Sequence, residues 1–315
     1  MRKLHLLFAA AIVAGTTVTS TALFGQAAPQ TPADGFPAQG APAVVKLIST
    51  GGEPRSPLRY KVSSGLKART SATMAMGMSM DMGGMAMPEM KMPVMKMEVA
   101  MTVTSVAANG DIAFAMSIPS ASFDTAGVDP AIAAAMQGVN TDMSAVTTTG
   151  VMTSRGLTNQ ALSYDKVTDP QLKQVLETAG PMVQSMSFPF PEEPVGIGAK
   201  WEVRQRANSG GIMAMSTATA ELVAVEGSKI TLKITTSQTA PPQVMKNPAL
   251  PAEVEATLSK FSGTSTGTAV IDLAQLSYDG ETNGRIVMDL QVAMAGMQQT
   301  MAMTTSMKVT TAAIR

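Results

Sequence analysis

No cysteine occurs in the 315 residues, and the only histidine is His5. The first absence removes disulfides, thiol catalysis, zinc ribbons and iron–sulfur sites. The second removes the Ser-His-Asp triad, the zinc hydrolases and histidine copper sites, because His5 lies in a segment expected to be cleaved. Aromatic residues are scarce, with one Trp, three Tyr and eight Phe. That is too few to build the aromatic girdles of an outer-membrane barrel or to stack nucleobases along a groove. Charge is sparse and balanced, 23 Lys and Arg against 23 Asp and Glu, with no basic stripe. Nucleic acid is therefore not an expected partner. No apolar run is long enough to span a bilayer, so no transmembrane segment is expected.

What the chain does have begins with Met1-Arg2-Lys3, an apolar run from Leu6 to Gly15 and a small-residue stretch through Ala28. This is the layout of a secretory signal peptide, expected over residues 1–27 with cleavage near Ala22 or Ala27. Its loss takes Arg2 and Lys3, two of the 23 bases and none of the 23 acids, so the mature chain carries about −2. Without a cysteine at the cleavage site, no N-terminal lipid anchor is expected. Residues 28–44, rich in Pro, Ala, Gly and Gln, read as a disordered linker. The expected product is periplasmic or secreted, with enough chain left for a substantial core.

The remainder is strand-dominated. Val99–Val106 and Asp111–Ile118 flank Asn109-Gly110, a strong hairpin signal. Thr217–Val225 and Lys229–Thr236 form a second hairpin of the same kind. Each is followed by a candidate helix, one opening at Asp129-Pro130 and running to Gln137, the other opening at Asn247-Pro248 and continuing from Pro251 to Phe261. A further helix is expected from Asp169 to about Met186. The tetrapeptide Leu-Ser-Tyr-Asp occurs at 162–165 and again at 276–279. Three landmarks in one order, 114 to 119 residues apart, indicate an internal duplication. The expected fold is mainly β, of the α+β kind: curved antiparallel sheet with two or three helices, in two related halves. The halves are residues 45–187 and 199–315, joined by a proline-rich connector at 188–198.

Eleven of the 24 residues from Met74 to Met97 are methionine. Met74, Met76, Met78, Met80 and Met82 alternate strictly, which places their side chains on one face of an extended strand. Tyr60 to Val106 spans 46 positions where the matching Trp201 to Val225 spans 24, so the tract reads as an insertion of about 22 residues in the first half. Gly83-Gly84 is its expected tip, and deletion of residues 74–92 is expected to leave the fold intact. Thioether is the only soft ligand in the chain. It favours Cu(I) or Ag(I), with Met74, Met76, Met78, Met80, Met82, Met85, Met87, Met90 and Met92 as candidate ligands. Methionine also serves as a pliable filler of apolar walls, and exposed methionine scavenges oxidants. Met294, Met297, Met301, Met303 and Met307 read as core or cavity wall. Met213 and Met215 form a further pair.

Other motif matches carry little chemistry. Gly263-Thr-Ser-Thr-Gly267 has the form of a nucleophile elbow but lacks its histidine and its strand-to-helix setting. Ser64-x-x-Lys67 stands without partner motifs, and Glu192 and Glu193 sit in a proline-flanked turn. No catalytic residue and no cofactor other than Cu(I) is expected, so the chain does not read as an enzyme.

The connector Phe188-Pro-Phe-Pro-Glu-Glu-Pro-Val-Gly-Ile-Gly-Ala-Lys-Trp201 contains P-x-x-P-V-G-x-G-x-x-W over Pro191–Trp201. This form resembles a family of secreted bacterial proteins of unknown function. The resemblance implies an architecture similar to the curved half-barrels of periplasmic lipoprotein and lipid carriers. The methionine tract resembles the methionine-rich copper segments of periplasmic copper-resistance proteins, which usually add the histidine missing here. Physically, the connector's prolines make a rigid extended segment, its glycines permit sharp turns, and Trp201 opens a strand against the core. The expected function is non-enzymatic binding of an apolar ligand such as a lipid or acyl chain. The alternatives are Cu(I) or Ag(I) binding by the methionine tract and a structural role in the cell envelope.

Overall fold

The computed structural model describes residues 34–128, 130, 133, 147–158, 188–209, 212–245, 254–294 and 297–315, all within one unit, Thr31–Arg315. Among them are fourteen strands: β1 Val44–Ser49, β2 Lys67–Met82, β3 Met85–Ala86, β4 Met90–Lys91, β5 Val94–Val106, β6 Ile112–Asp124, β7 Thr147–Met152, β8 Lys200–Ser209, β9 Ile212–Glu226, β10 Lys229–Thr239, β11 Gln243–Val244, β12 Val254–Asp272, β13 Ser277–Met294 and β14 Met297–Ile314. They form one antiparallel sheet in the order β1-β8-β9-β10-β12-β13-β14-β2-β5-β6-β7, with β3 and β4 beside β2 and β11 beside β12. The path ends at β1 and β7 and does not close.

The two expected hairpins are β5–β6, turning at Asn109-Gly110, and β9–β10. Gly110 has φ 85° and Gly227 has φ 62°, values glycine reaches without steric cost. The second Leu-Ser-Tyr-Asp closes the β12–β13 turn with Leu276 and opens β13 with Ser277. Leu276 adopts φ 50°, Tyr278 packs at the core margin, and the Asp279 carboxylate accepts a hydrogen bond from the Ala313 amide at 2.7 Å. Its first copy, 162–165, lies outside the described residues.

No helix stands among the described elements, and none is long and apolar enough to cross a membrane. The helices expected at 129–137 and 169–186 lie outside the described residues, Pro130 and Ala133 apart. The helix expected from Pro251 to Phe261 is a correction, because β12 begins at Val254. Val254, Leu258 and Phe261 have the i, i+4, i+7 spacing of a helical stripe. A strand reaches the same outcome through the β-bulge between Leu258 and Lys260, after which Phe261 pairs with Met288.

One hydrophobic cluster draws on both halves of the sheet. It joins Val99, Val103, Ile112, Phe114 and Met116 of β5 and β6 to Trp201, Leu222, Ile230, Leu232 and Ile271 of β8, β9, β10 and β12. Strands far apart in the sheet order share this core, so the sheet curls until its inner faces meet. Two coil segments fill the seam. The Tyr60 amide donates to the Ser154 carbonyl at 2.8 Å, the Lys61 amide to Leu273 at 2.9 Å and the Phe190 amide to Arg155 at 2.9 Å. Trp201 is fully buried, stands edge-on to Phe188 and Phe190, and donates from Nε1 to the Pro189 carbonyl at 3.0 Å. Burial pushes the Tyr60 phenol pKa up, well above its ordinary value.

The connector's glycines act here by close approach and by φ. A side chain at Gly196 would strike the Gly52 carbonyl, and Gly198 adopts φ 85°. Within the stretch expected to be a disordered linker, Asp34 pairs with Arg206, Phe36 lies 5.9 Å from the Arg204 guanidinium and Pro37 is buried, while residues 38–40 are exposed.

Trp201→Ala should lower the unfolding free energy by about 3–5 kcal/mol, the cost of emptying a fully buried aromatic site. Urea melts followed by circular dichroism test this, since the substitution removes the only indole fluorophore. An effect under about 1 kcal/mol would mean that the seam closes without its tryptophan.

Candidate functional site

Side chains alternate along a strand, and directly paired residues share a face. Buried Thr70 and Ala72 place the even-numbered positions of β2 on the inner face. Met74, Met76, Met78 and Met80 continue that face beyond the core and are half-buried. The opposite face of the same region is polar, with Ser71, Thr73, Ser79 and Asp81 on β2 and exposed Ser306, Lys308 and Thr310 on β14. The tract is thus an amphipathic strand with its apolar side turned inward.

The pairing of β2 with β14 brings together methionines far apart in sequence. Met80 pairs with Met303 and Met76 with Met307. Met288 of β13 pairs with Met303. On the other side of β2, Met90 pairs with Met78 and Met95 with Met74. Met288, Met303 and Met80 consequently stand side by side on three adjacent strands. Of the nine candidate ligands, Met74, Met76, Met78, Met80 and Met90 join this face. Met82 is paired through its backbone with both Met301 and Met85. Met85 and Met87 are exposed by the hairpin tip, at 74% and 41%, and do not belong to the sheltered face. Met92 is half-buried and donates its amide to the Met76 carbonyl at 3.1 Å.

Local chemistry explains the shape of the tract. Gly83 and Gly84 have φ 62° and 90° and form the expected tip, where the Gly84 amide donates to the Asp81 carboxylate at 2.8 Å. Pro88 and Pro93 lack amide donors, so the strand beside β2 is broken into β3, β4 and β5. Gly77 leaves outer-face room that the Glu89 carboxylate occupies.

Beyond β14 the inner face changes character. Gly284 faces Met307, and a Cβ built there would lie 3.7 Å from the Met307 methyl carbon. Gly263, Ser265 and Gly267 carry the same face along β12. Small residues on one side therefore adjoin long, flexible ones on the other. A second packed cluster, Ile212, Leu258 and Leu290 with Phe261, Met288 and Met301 against it, lies at the far end of these strands. The half-buried methionines occupy the stretch between the two clusters.

The remaining motifs are structural. Gly263–Gly267 lies within β12, with Ser265 paired to Gly284. The Ser64 hydroxyl donates to the Thr104 carbonyl at 3.0 Å. The Glu192 side chain is solvated and 3.6 Å from Arg155, while the Arg59 guanidinium donates to the Pro191 and Glu192 carbonyls. Met213 and Met215 alternate with inward-facing Ile212 and Ser216 and so occupy the other face of β9. Among the described residues no group of three His, Cys, Asp or Glu could hold a metal ion. Met288 stands alone in its sequence neighbourhood, and only strand register reveals its place.

Separability of the tract is corrected by the pairing. β2 bonds to β14 from Arg69–Ile314 to Met82–Met301, so the tract occupies the middle of the sheet. A chain lacking residues 74–92 should lose its cooperative thermal transition, measured by circular dichroism, whereas Met76→Leu with Met307→Leu should cost less than about 1.5 kcal/mol.

A model of a family of unknown function, DUF6263, matches residues 171–275, which include the connector and β8 to β12. No curated protein matches the chain. Among solved structures, OccK11 (OpdR) of Pseudomonas aeruginosa is similar at 7% identity, over 82% of this chain and all of that one, with a TM-score of 0.24.

Proposed function

We propose that this protein is a non-enzymatic, extracytoplasmic carrier whose inner sheet face holds a lipid acyl chain. The observation that carries the reading is the half-buried face between the two packed clusters, where Met76, Met78, Met80, Met303 and Met307 lie beside Gly284, with Gly263 and Gly267 one strand further on. An acyl chain is apolar, narrow and variable in shape. A face of unbranched, polarizable side chains beside small residues can repack around it. The outer face is charged and hydroxyl-rich, as in the pair Glu281–Lys308 at 2.9 Å, and so keeps the folded chain in water. The amino-terminal signal pattern supports the address, and the likeness in architecture to curved lipid carriers belongs to the same reading.

The test is titration of the delipidated mature chain with a fluorescent polyene fatty acid, followed by competition with phospholipid. Saturable binding is expected. Ile286→Asp, on the inner face, should weaken it at least about tenfold, since a carboxylate in an apolar site is costly to desolvate. Arg285→Asp, on the exposed face of the same strand, should leave it unchanged. Absence of binding to folded protein, or equal loss in both variants, would refute the reading.

A further inference from the structure

The row Met288, Met303 and Met80 raises a question that packing alone does not answer. Buried Met97, Met116 and Met152 show what a packing methionine looks like in this protein, each under one-tenth exposed. Met80, Met288 and Met303 are only partly buried although set within the sheet, Met288 touching the second cluster at its margin. Neighbouring strands lie about 4.8 Å apart, so three paired positions across β13, β14 and β2 span roughly 10 Å at the backbone. A methionine side chain has three rotatable bonds, and its sulfur can lean across most of one strand spacing. Met307 already leans toward β13, over Gly284. Three sulfurs from this row can meet one ion, and Met78, two residues along β2 on the same face, is a fourth within reach.

From this register we infer that the inner face carries a soft-metal site for Cu(I) or Ag(I), with Met80, Met303 and Met288 as ligands. Thioether donors select soft monovalent cations over the harder divalent ions that carboxylates hold. The paired positions flanking the row supply no competing carboxylate: Thr305 and Ile286 lie on one side, Met301 and Leu290 on the other. Binding requires neither electron transfer nor the loss of a proton, because a thioether is neutral and already unprotonated. This separates the site from cysteine or histidine sites, whose affinity falls in acid as the ligand takes up a proton. Met80 and Met303 also belong to the face proposed to hold an acyl chain, but metal binding is read directly on the delipidated chain, so either reading can fail without the other.

The experiment uses the full mature chain, delipidated, in chloride-free and oxygen-free buffer. It is titrated with Ag(I), and with Cu(I) against a competing chelator. One ion per chain is expected, at an affinity constant between about pH 5 and 8, the interval in which a histidine site would titrate. Met80→Leu with Met303→Leu should lower affinity at least about tenfold, since even outer-shell changes at metal sites cost that much. Leucine replaces methionine at nearly constant volume, and circular dichroism verifies that the variant is folded. Met85→Leu with Met87→Leu, at the exposed tip, should leave affinity unchanged. The inference is overturned if the wild-type chain binds neither ion, if the M80L/M303L variant binds as well as wild type, or if the tip variant abolishes binding.

Discussion

The pairing of β14 with β2 is the constraint on which the rest of the structure depends. Among the described strands it is the junction that joins β2, β5, β6 and β7 to β8 through β14, while β1 meets β8 at the edge of the second half. It runs through fourteen consecutive residue pairs. Without it the sheet would be two separate pieces, and the curl that brings β5 and β6 against β8 to β12 would have no hinge. Side-chain chemistry agrees with the pairing at both ends. Ala72 and Thr311 are buried together beside the core, and Met80 and Met303 stand together beyond it. The seam on the other side of the curl is filled by Trp201, Phe190 and Tyr60, three of the few aromatic residues the chain owns. A protein poor in large rings has placed them where its sheet edges must be bridged.

Parts of this were legible in the sequence for clear physical reasons. Period-two alternation identified the hairpins, and the Asn-Gly and Gly-Gly turns located their ends, because few residues adopt a positive φ. Trp201 was legible as the opening of a strand because the proline-rich connector had to end there. The helix expected at 251–261 rested on the Asn247-Pro248 opening, and the apolar spacing did not argue against it, because a β-bulge converts period two into a spacing that imitates period 3.6. Sequence periodicity cannot distinguish these cases, whereas pairing with Met288 and Leu290 can.

The methionine tract was legible as a strand face but not as the centre of a sheet. Its length excess over the second half suggested an appendage. Nothing local to the tract indicates that a strand more than two hundred residues away covers its flank, where Ser306 reaches the Gly77 carbonyl across 229 positions. The same non-locality hid the row of Met80, Met288 and Met303. Spacings such as M-x-M describe one strand at a time, while a site on a sheet is written across strands. Composition offered the donor type, and only register could offer the arrangement.

The β2–β14 junction also governs how the molecule comes into being. Ordering a contact of such long range requires closing a very large loop before any pairing energy is returned, and folds dominated by such contacts form slowly. The hairpins β5–β6 and β9–β10 are local and can form early. The sheet as a whole cannot join until β14, the last strand, is available to lie against β2. During synthesis, the half-formed chain would present the unpaired edge of β2 and its methionine face together. A chain organised in this way keeps the β2 edge open until β14 has been made, which leaves it dependent on protection from aggregation along the way.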